Sequence, residues 1–220
     1  MNDSWIGPVV AHLGRGLLVT LWISLLSVIA ATIIGVAVGA LSTSSRRFLR
    51  GFVRVYVDLF RGVPSLLILL YVFFALPQIG ISTGPLTASV IGLGLWGSAN
   101  IAEAARGALF SISSKQTEAA RALGMNPRLT LQYVLLPQAA RRFLPPYVGQ
   151  LTVLIHASAL TSVVGVSDIL GSARQMIERL AYMGPDSHAI VIYGMVLAVF
   201  FAICYPLTLL TEYLERRLRV

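Results

Sequence analysis

Gln116 to Arg141 reads QTEAARALGMNPRLTLQYVLLPQAAR, a polar, arginine-dotted island between strongly apolar runs. Thr117 is placed to cap a short helix that Glu118, Ala119, Ala120, Arg121, Ala122 and Leu123 continue. Gly124 should end it, because glycine accepts the left-handed conformation that follows a helix terminus. Pro127 then opens a second helical run reaching Leu135, and Pro137 is expected to break it. The spacing predicts a helix-turn-helix at a membrane surface. Ala119, Ala120 and Ala122 keep its first helix thin, so a partner can approach the backbone closely. The plain alternative is a surface hairpin that only joins two spans.

The composition around this island is that of a membrane protein. The chain is 56% hydrophobic and 12% charged, with a mean hydropathy of +0.80. At 220 residues it is read as one domain, 1–220. The net charge of +8 invites a nucleic-acid reading, but the arginines sit between apolar runs, where topology signals are found. No nucleic-acid partner is expected. Cys204 is the one cysteine and the three histidines are scattered, so neither a disulfide nor a metal-ligand spacing can be drawn.

Five apolar runs are expected to span the bilayer: 16–41, 55–76, 86–109, 145–164 and 189–210. The first, about 26 residues, makes a helix of ~39 Å, against ~30 Å of hydrocarbon core. A cleaved signal peptide would be shorter and more basic in front than Arg15 makes this one, so the run is expected to remain. Gly35 and Gly39 give it a small-residue face for packing. Pro64 should kink the second run, and Asp58 and Arg61 are spaced to pair on one helix face. Gly165 to Ser187 is amphipathic, with Val166, Leu170, Ala173, Ile177 and Leu180 at helical spacing, and should lie at an interface or dip in as a gate. Glu212 with Arg216 and Glu215 with Arg219 are i,i+4 pairs in the tail.

Counting basic residues orients the chain. Arg46, Arg47, Arg50 and Arg54 follow the first run; Lys115, Arg121, Arg128, Arg141 and Arg142 belong to the loop that carries the island; Arg216, Arg217 and Arg219 end the tail. With five spans these fall on one side, and only Arg15, Arg174 and Arg179 on the other. The asymmetry is a positive-inside signal. An all-α polytopic protein is predicted, with five core transmembrane helices, the N-terminus outside and the loop at 110–144 in the cytoplasm.

Several of these segments carry a resemblance. Glu118-Ala119-Ala120, Gly124 and Leu136-Pro137 resemble the EAA loop of permeases from importer-type ABC transporters. Phe60-Arg61-Gly62-Val63-Pro64, Ala102-Glu103 with Arg106-Gly107-Ala108, Leu136-Pro137-Gln138-Ala139 and Pro145-Pro146 resemble segments of the polar amino acid uptake branch. The resemblance covers most of the chain and implies a type I permease fold in a bacterial inner membrane. It implies that Glu118, Ala119, Ala120, Arg121, Gly124 and Pro137 form the element that couples to a cytoplasmic ATPase dimer. It also implies a second permease, an extracytoplasmic substrate-binding protein and a small polar amino acid as cargo. ATP and magnesium would bind on the ATPase, since this chain has no GxxxxGK[ST] phosphate loop and needs no cofactor of its own.

One segment departs from that branch. Its fourth span usually has a KDTSL-like stretch, and here it reads His156-Ala157-Ser158-Ala159-Leu160. The change removes a counter-charge for a cationic amino acid and favours a paralogue over an identical copy as the partner. Polar groups inside a membrane are costly and are candidate substrate contacts by default. The candidate path residues are Asn100, Glu103, Thr152, His156, Ser158 and Leu160, with Gly149, Thr152, His156 and Ala159 on one helical stripe. Against this, Glu103 can simply pair with Arg106, and the hydroxyls can bond their own helix backbone. The rival functions are a secondary transporter, which often shows an inverted repeat not seen here, and a channel subunit, which would not need the thin hairpin. A membrane-embedded enzyme would need paired acids or an activated nucleophile in the spans, and Glu103 and Asp58 make no such set.

Overall fold

The computed structural model describes residues 5–44, 46–183 and 187–218. Among them every regular element is helical, in keeping with the all-α expectation. The main helices are α1 (Ile6–Leu41), α2 (Arg47–Gly62), α3 (Ser65–Ala75), α4 (Pro85–Phe110), α5 (Ser114–Ala122), α6 (Leu136–Ala157), α7 (Ile169–Met183) and α8 (Ala189–Arg217).

The packing is small inside and large outside. The buried face of α1 carries Ser24, Ser27, Ala31, Gly35 and Gly39, while Leu18, Trp22, Leu25 and Ile33 face outward. On α8, Ile190, Leu197 and Phe201 are likewise exposed. In water such surfaces would aggregate; in lipid they are neutral, and small residues let helices approach. At Gly35 a Cβ would stand 2.7 Å from the Ser98 carbonyl oxygen and 2.8 Å from the Ile101 side chain. The small-residue face read from the sequence is therefore the α1–α4 contact, the most extensive helix pair in the chain.

α4 lies at the centre of the bundle and meets α1, α3 and α6. Ile23, Ala31, Leu69, Leu93, Ile101 and Leu154 form the core around it. A second core joins the start of α1 to α7 and α8 through Val9, Leu13, Ile169, Ala173, Met176 and Ile192. Among the described residues three helical segments are long and apolar enough to cross a membrane: Ile6–Leu41, Pro127–Val164 and Ala189–Arg217. Taken as one span, the pair α2–α3 makes a fourth. α4 is not among them. Its Ser89, Ser98, Asn100 and four glycines lower its apolarity, which a helix wrapped by other helices tolerates.

Two breaks differ from the sequence reading. The expected kink at Pro64 is a 101° turn, so the run 55–76 is two helices rather than one bent span. Val63 and Pro64 are both extended there, as a residue before proline prefers. Pro137 does not break its helix. Residues Thr130–Leu135 widen into a π-helix and the Leu136 N–H donates to Leu131 O, so helix continues from Pro127 to Val164. The wide turn makes room for a ring that would clash with a regular α turn. The Glu215–Arg219 pair lies outside the described residues; Arg216 and Glu212 stand 3.7 Å apart.

Candidate coupling hairpin and translocation face

The hairpin begins at Ser113, whose Oγ accepts the Lys115 N–H at 3.3 Å. Ser113 is the N-cap of α5, and Thr117, expected in that role, lies inside the helix. At the other end Gly124 has φ +76°. Its N–H donates to Arg121 O at 2.9 Å and the Met125 N–H to Ala120 O at 3.0 Å. That pair of bonds is the Schellman arrangement, which closes a helix with a left-handed residue. Asn126 caps the next turn, its Oδ1 accepting the Leu129 N–H at 2.9 Å, and Pro127 occupies the first helical position.

Ala120 is the buried residue of α5; Glu118, Ala119, Arg121, Gly124 and Pro137 are exposed. Leu123 is 82% exposed, a large apolar side chain with nothing over it. The hairpin is braced from behind. Arg142 Nη1 donates to the Ser111 carbonyl and to Ser111 Oγ, the latter at 3.0 Å. Gln138 Nε2 donates to Val134 O at 2.9 Å and to Gln116 Oε1 at 3.4 Å. A cavity of about 600 Å³ separates the hairpin residues Thr117, Arg121 and Thr130 from Ser42, Ser44 and Phe110.

The candidate path residues do not converge on one pocket. Asn100 Nδ2 donates to Trp96 O at 2.9 Å, within its own helix. Thr152 is buried and bonds Val148 O; Ser158 is buried and bonds Ile155 O at 2.7 Å. His156 is exposed, and Leu160 packs at the edge of the main core. Glu103 holds Arg106 through two bonds, at 2.6 and 2.8 Å, and stands 3.7 Å from Arg61. Arg61 thus turns to Glu103 rather than to Asp58, since the 101° turn ends α2 beside α4. Gln150 Nε2 is buried without a partner among the described residues.

Asp168 escaped the sequence reading. It lies between the Pro127–Val164 helix and α7, fully buried, where Oδ1 accepts the Gly171 N–H at 2.7 Å and Oδ2 the Thr161 hydroxyl at 3.4 Å. Burial pushes its carboxyl up to about 6 despite those donors. An acid placed just before an amphipathic run is an N-cap signal that could have found it.

The comparisons agree with this architecture. A family model described as "Binding-protein-dependent transport system inner membrane component" matches residues 31–220. The probable glutamine ABC transporter permease protein GlnP of Bacillus subtilis is 34% identical over 207 residues, 94% of each chain. The glutamine transport system permease protein GlnP of Escherichia coli K12 is 31% identical over 224 residues and the whole of both chains. A crystal structure of an amino acid ABC transporter with histidines superposes with a TM-score of 0.88, at 28% identity over 99% of each chain. An inward-facing MetNI methionine ABC transporter, 24% identical with a TM-score of 0.73, shares the fold. The α1-to-α8 bundle with its braced hairpin is therefore that of a membrane permease subunit, and the chain belongs to the family of binding-protein-dependent transport system inner membrane components.

Proposed function

We propose that the chain is the permease subunit of an ATP-driven importer of polar amino acids in a bacterial inner membrane. It crosses five times, by α1, the α2–α3 pair, α4, α6 with its 3₁₀ extension, and α8, as one domain with its N-terminus outside. The hairpin around Glu118, Ala119, Ala120, Arg121 and Gly124 docks on a cytoplasmic ATPase dimer that holds ATP and magnesium. A second permease completes the path, and an extracytoplasmic substrate-binding protein delivers the cargo. The permease itself catalyses nothing.

One observation carries this reading. Exposed Glu118 and Leu123 project from a hairpin held by its own caps, by buried Ala120 and by Arg142 and Gln138 behind it. A rigid projecting helix with an apolar tip is built to be gripped, and it transmits displacement to α4 through Ser111. The relatives' names supply the cargo class: glutamine for the two GlnP permeases, and amino acids for the transporter of known structure. For the path, Asn100, Glu103, Thr152, His156, Ser158 and Leu160 remain the residues of choice, with Thr152 and Ser158, buried within this chain, having to be uncovered to meet cargo.

The test is to tag the C-terminus, extract mildly from native membranes and identify what co-purifies, with Gly124→Trp as the control. An ATPase and a second permease that vanish with Gly124→Trp are expected. Recovery of the chain alone, active in uptake without ATP, would overturn the proposal in favour of a secondary transporter.

A further inference from the structure

A cavity of about 560 Å³ opens between the end of α1, the length of α2 and the second half of α4. Arg47, Arg50, Arg54, Arg61 and Arg106 line it against Asp58 and Glu103, so its walls are strongly positive. Glu103 is already shared by Arg61 and Arg106. Arg47 and Arg54, two helical turns apart on α2, have no carboxylate at salt-bridge distance among the described residues. Five arginines against two carboxylates make the cavity attractive to an anion, and guanidinium forks match phosphate oxygens.

A second observation says what kind of anion. Phe48, Phe52, Val55 and Leu59 follow each other at spacings of four, three and four along α2, and are exposed by 84, 64, 67 and 55%. They form an apolar stripe beside the basic one. Within the proposed α2–α3 crossing it is α3 that enters the bilayer, and the 101° turn between them then sets α2 close to the membrane plane. An amphipathic helix so placed sinks its apolar edge among acyl chains and keeps its arginines at the headgroups.

The geometry points to a binding site for the headgroup of an anionic phospholipid, its phosphate held by Arg47 and Arg54 and its acyl chains along the Phe48–Leu59 stripe. A free phosphate would use the arginines alone and leave the stripe uncovered. Ser42, Arg50 and Phe110 also border the cavity beneath the hairpin, so the lipid stands against the wall the coupling element rests on. The inference rests on the proposed placement of α2 at the cytoplasmic face, and it adds a lipid requirement that the transport reading does not contain.

The experiment is native mass spectrometry of the complex carrying the full chain, titrated with phosphatidylglycerol, with phosphatidylcholine and with inorganic phosphate. The wild type should hold phosphatidylglycerol selectively, and Arg47→Gln with Arg54→Gln should weaken it by about 30-fold. Arg47→Lys with Arg54→Lys should keep most of the binding, and both arginines are exposed, so neither pair threatens folding. Equal binding of phosphatidylglycerol by the glutamine variant, equal binding of phosphatidylcholine by the wild type, or displacement of the lipid by inorganic phosphate would each overturn the site. None of these readouts depends on ATP or uptake, so failure here is distinct from failure of the transporter reading.

Discussion

Thr20 on α1 accepts the backbone N–H of Ile169 through its Oγ1 at 3.0 Å, a buried bond across 149 positions of chain. Ile169 is the first residue of α7, and a helix leaves its first N–H groups without partners. Thr20 satisfies one of them while donating to Gly16 O at 3.1 Å. Gly16 makes the approach possible, because a Cβ there would stand 2.7 Å from Asp168 O and 2.9 Å from Ile169 Cα. The start of α7 is thereby fixed to the first helix.

Thr20→Val keeps the shape and removes the acceptor. Leaving the buried Ile169 N–H unpaired should cost about 1–3 kcal/mol. Gly16→Val should cost a similar amount by overpacking, about 1–3 kcal/mol. The check is the thermal midpoint of the detergent-purified protein, where both variants should melt several degrees below the wild type. An unchanged midpoint for Thr20→Val would mean that the bond contributes nothing.

Asp168 gives the same junction a pH dependence. Its carboxyl is pushed up to about 6 in the fold, against 3.8 as the ordinary value. A raised acid pKa means the folded state binds the proton more tightly than the unfolded chain does. Its contribution to stability is therefore full below about pH 4 and lost as pH rises through about 6. Asp168→Asn keeps an N-cap acceptor for Gly171 but cannot ionise. Between pH 4 and 7 the midpoint of the wild type should fall relative to that of Asp168→Asn. Parallel curves would show that the carboxyl does not titrate there.

Gly124 separates coupling from folding. Its φ of +76° strains any residue with a Cβ, by roughly 1–2 kcal/mol, but open space surrounds the position. Gly124→Asn, which tolerates the left-handed region, should keep the hairpin and the proposed ATPase contact in part, whereas Gly124→Val should not. Glu118→Lys alters an exposed residue and should leave the midpoint within about 0.5 kcal/mol while abolishing uptake. Normal uptake by Glu118→Lys would remove the hairpin from the coupling mechanism.

What could be read in the sequence was local. Gly124 and Pro127 announce themselves because backbone conformation at those residues depends on their own covalent structure. A packing face on α1 was visible in Gly35 and Gly39, since small side chains inside an apolar run have few other uses, but not that α4 would fill it. Pro137 was misread because its clash can be relieved by neighbours, and the π-helix at Thr130–Leu135 is such relief. Ser113 was passed over for Thr117, although Ser113 with Gln116 three residues on is a capping-box pattern. Arg61 was given the wrong carboxylate because sequence spacing favours Asp58, while Glu103 arrives from another helix. The path residues could be named but not assembled, since Asn100, Thr152 and Ser158 bond backbone carbonyls of their own helices and the set shares no pocket.

Glu103 offers the sharpest division between a structural and a transport role. It lies between Arg61 at 3.7 Å and Arg106 at 2.6 Å, and all three side chains are partly exposed. Exposed ion pairs contribute little, so Glu103→Gln should cost no more than about 1 kcal/mol, and Arg106→Gln about as much. If the pair is only structural, the double variant should cost less than the sum, because each single change removes the same interaction. Uptake by the double variant would then recover toward wild type, the lone charge being gone. A carboxylate that also meets the cargo behaves otherwise: uptake falls with Glu103→Gln and stays low when Arg106 is removed as well. The expected outcome is the second, with a midpoint near wild type and uptake that Arg106→Gln fails to rescue; full rescue would confine Glu103 to the ion pair.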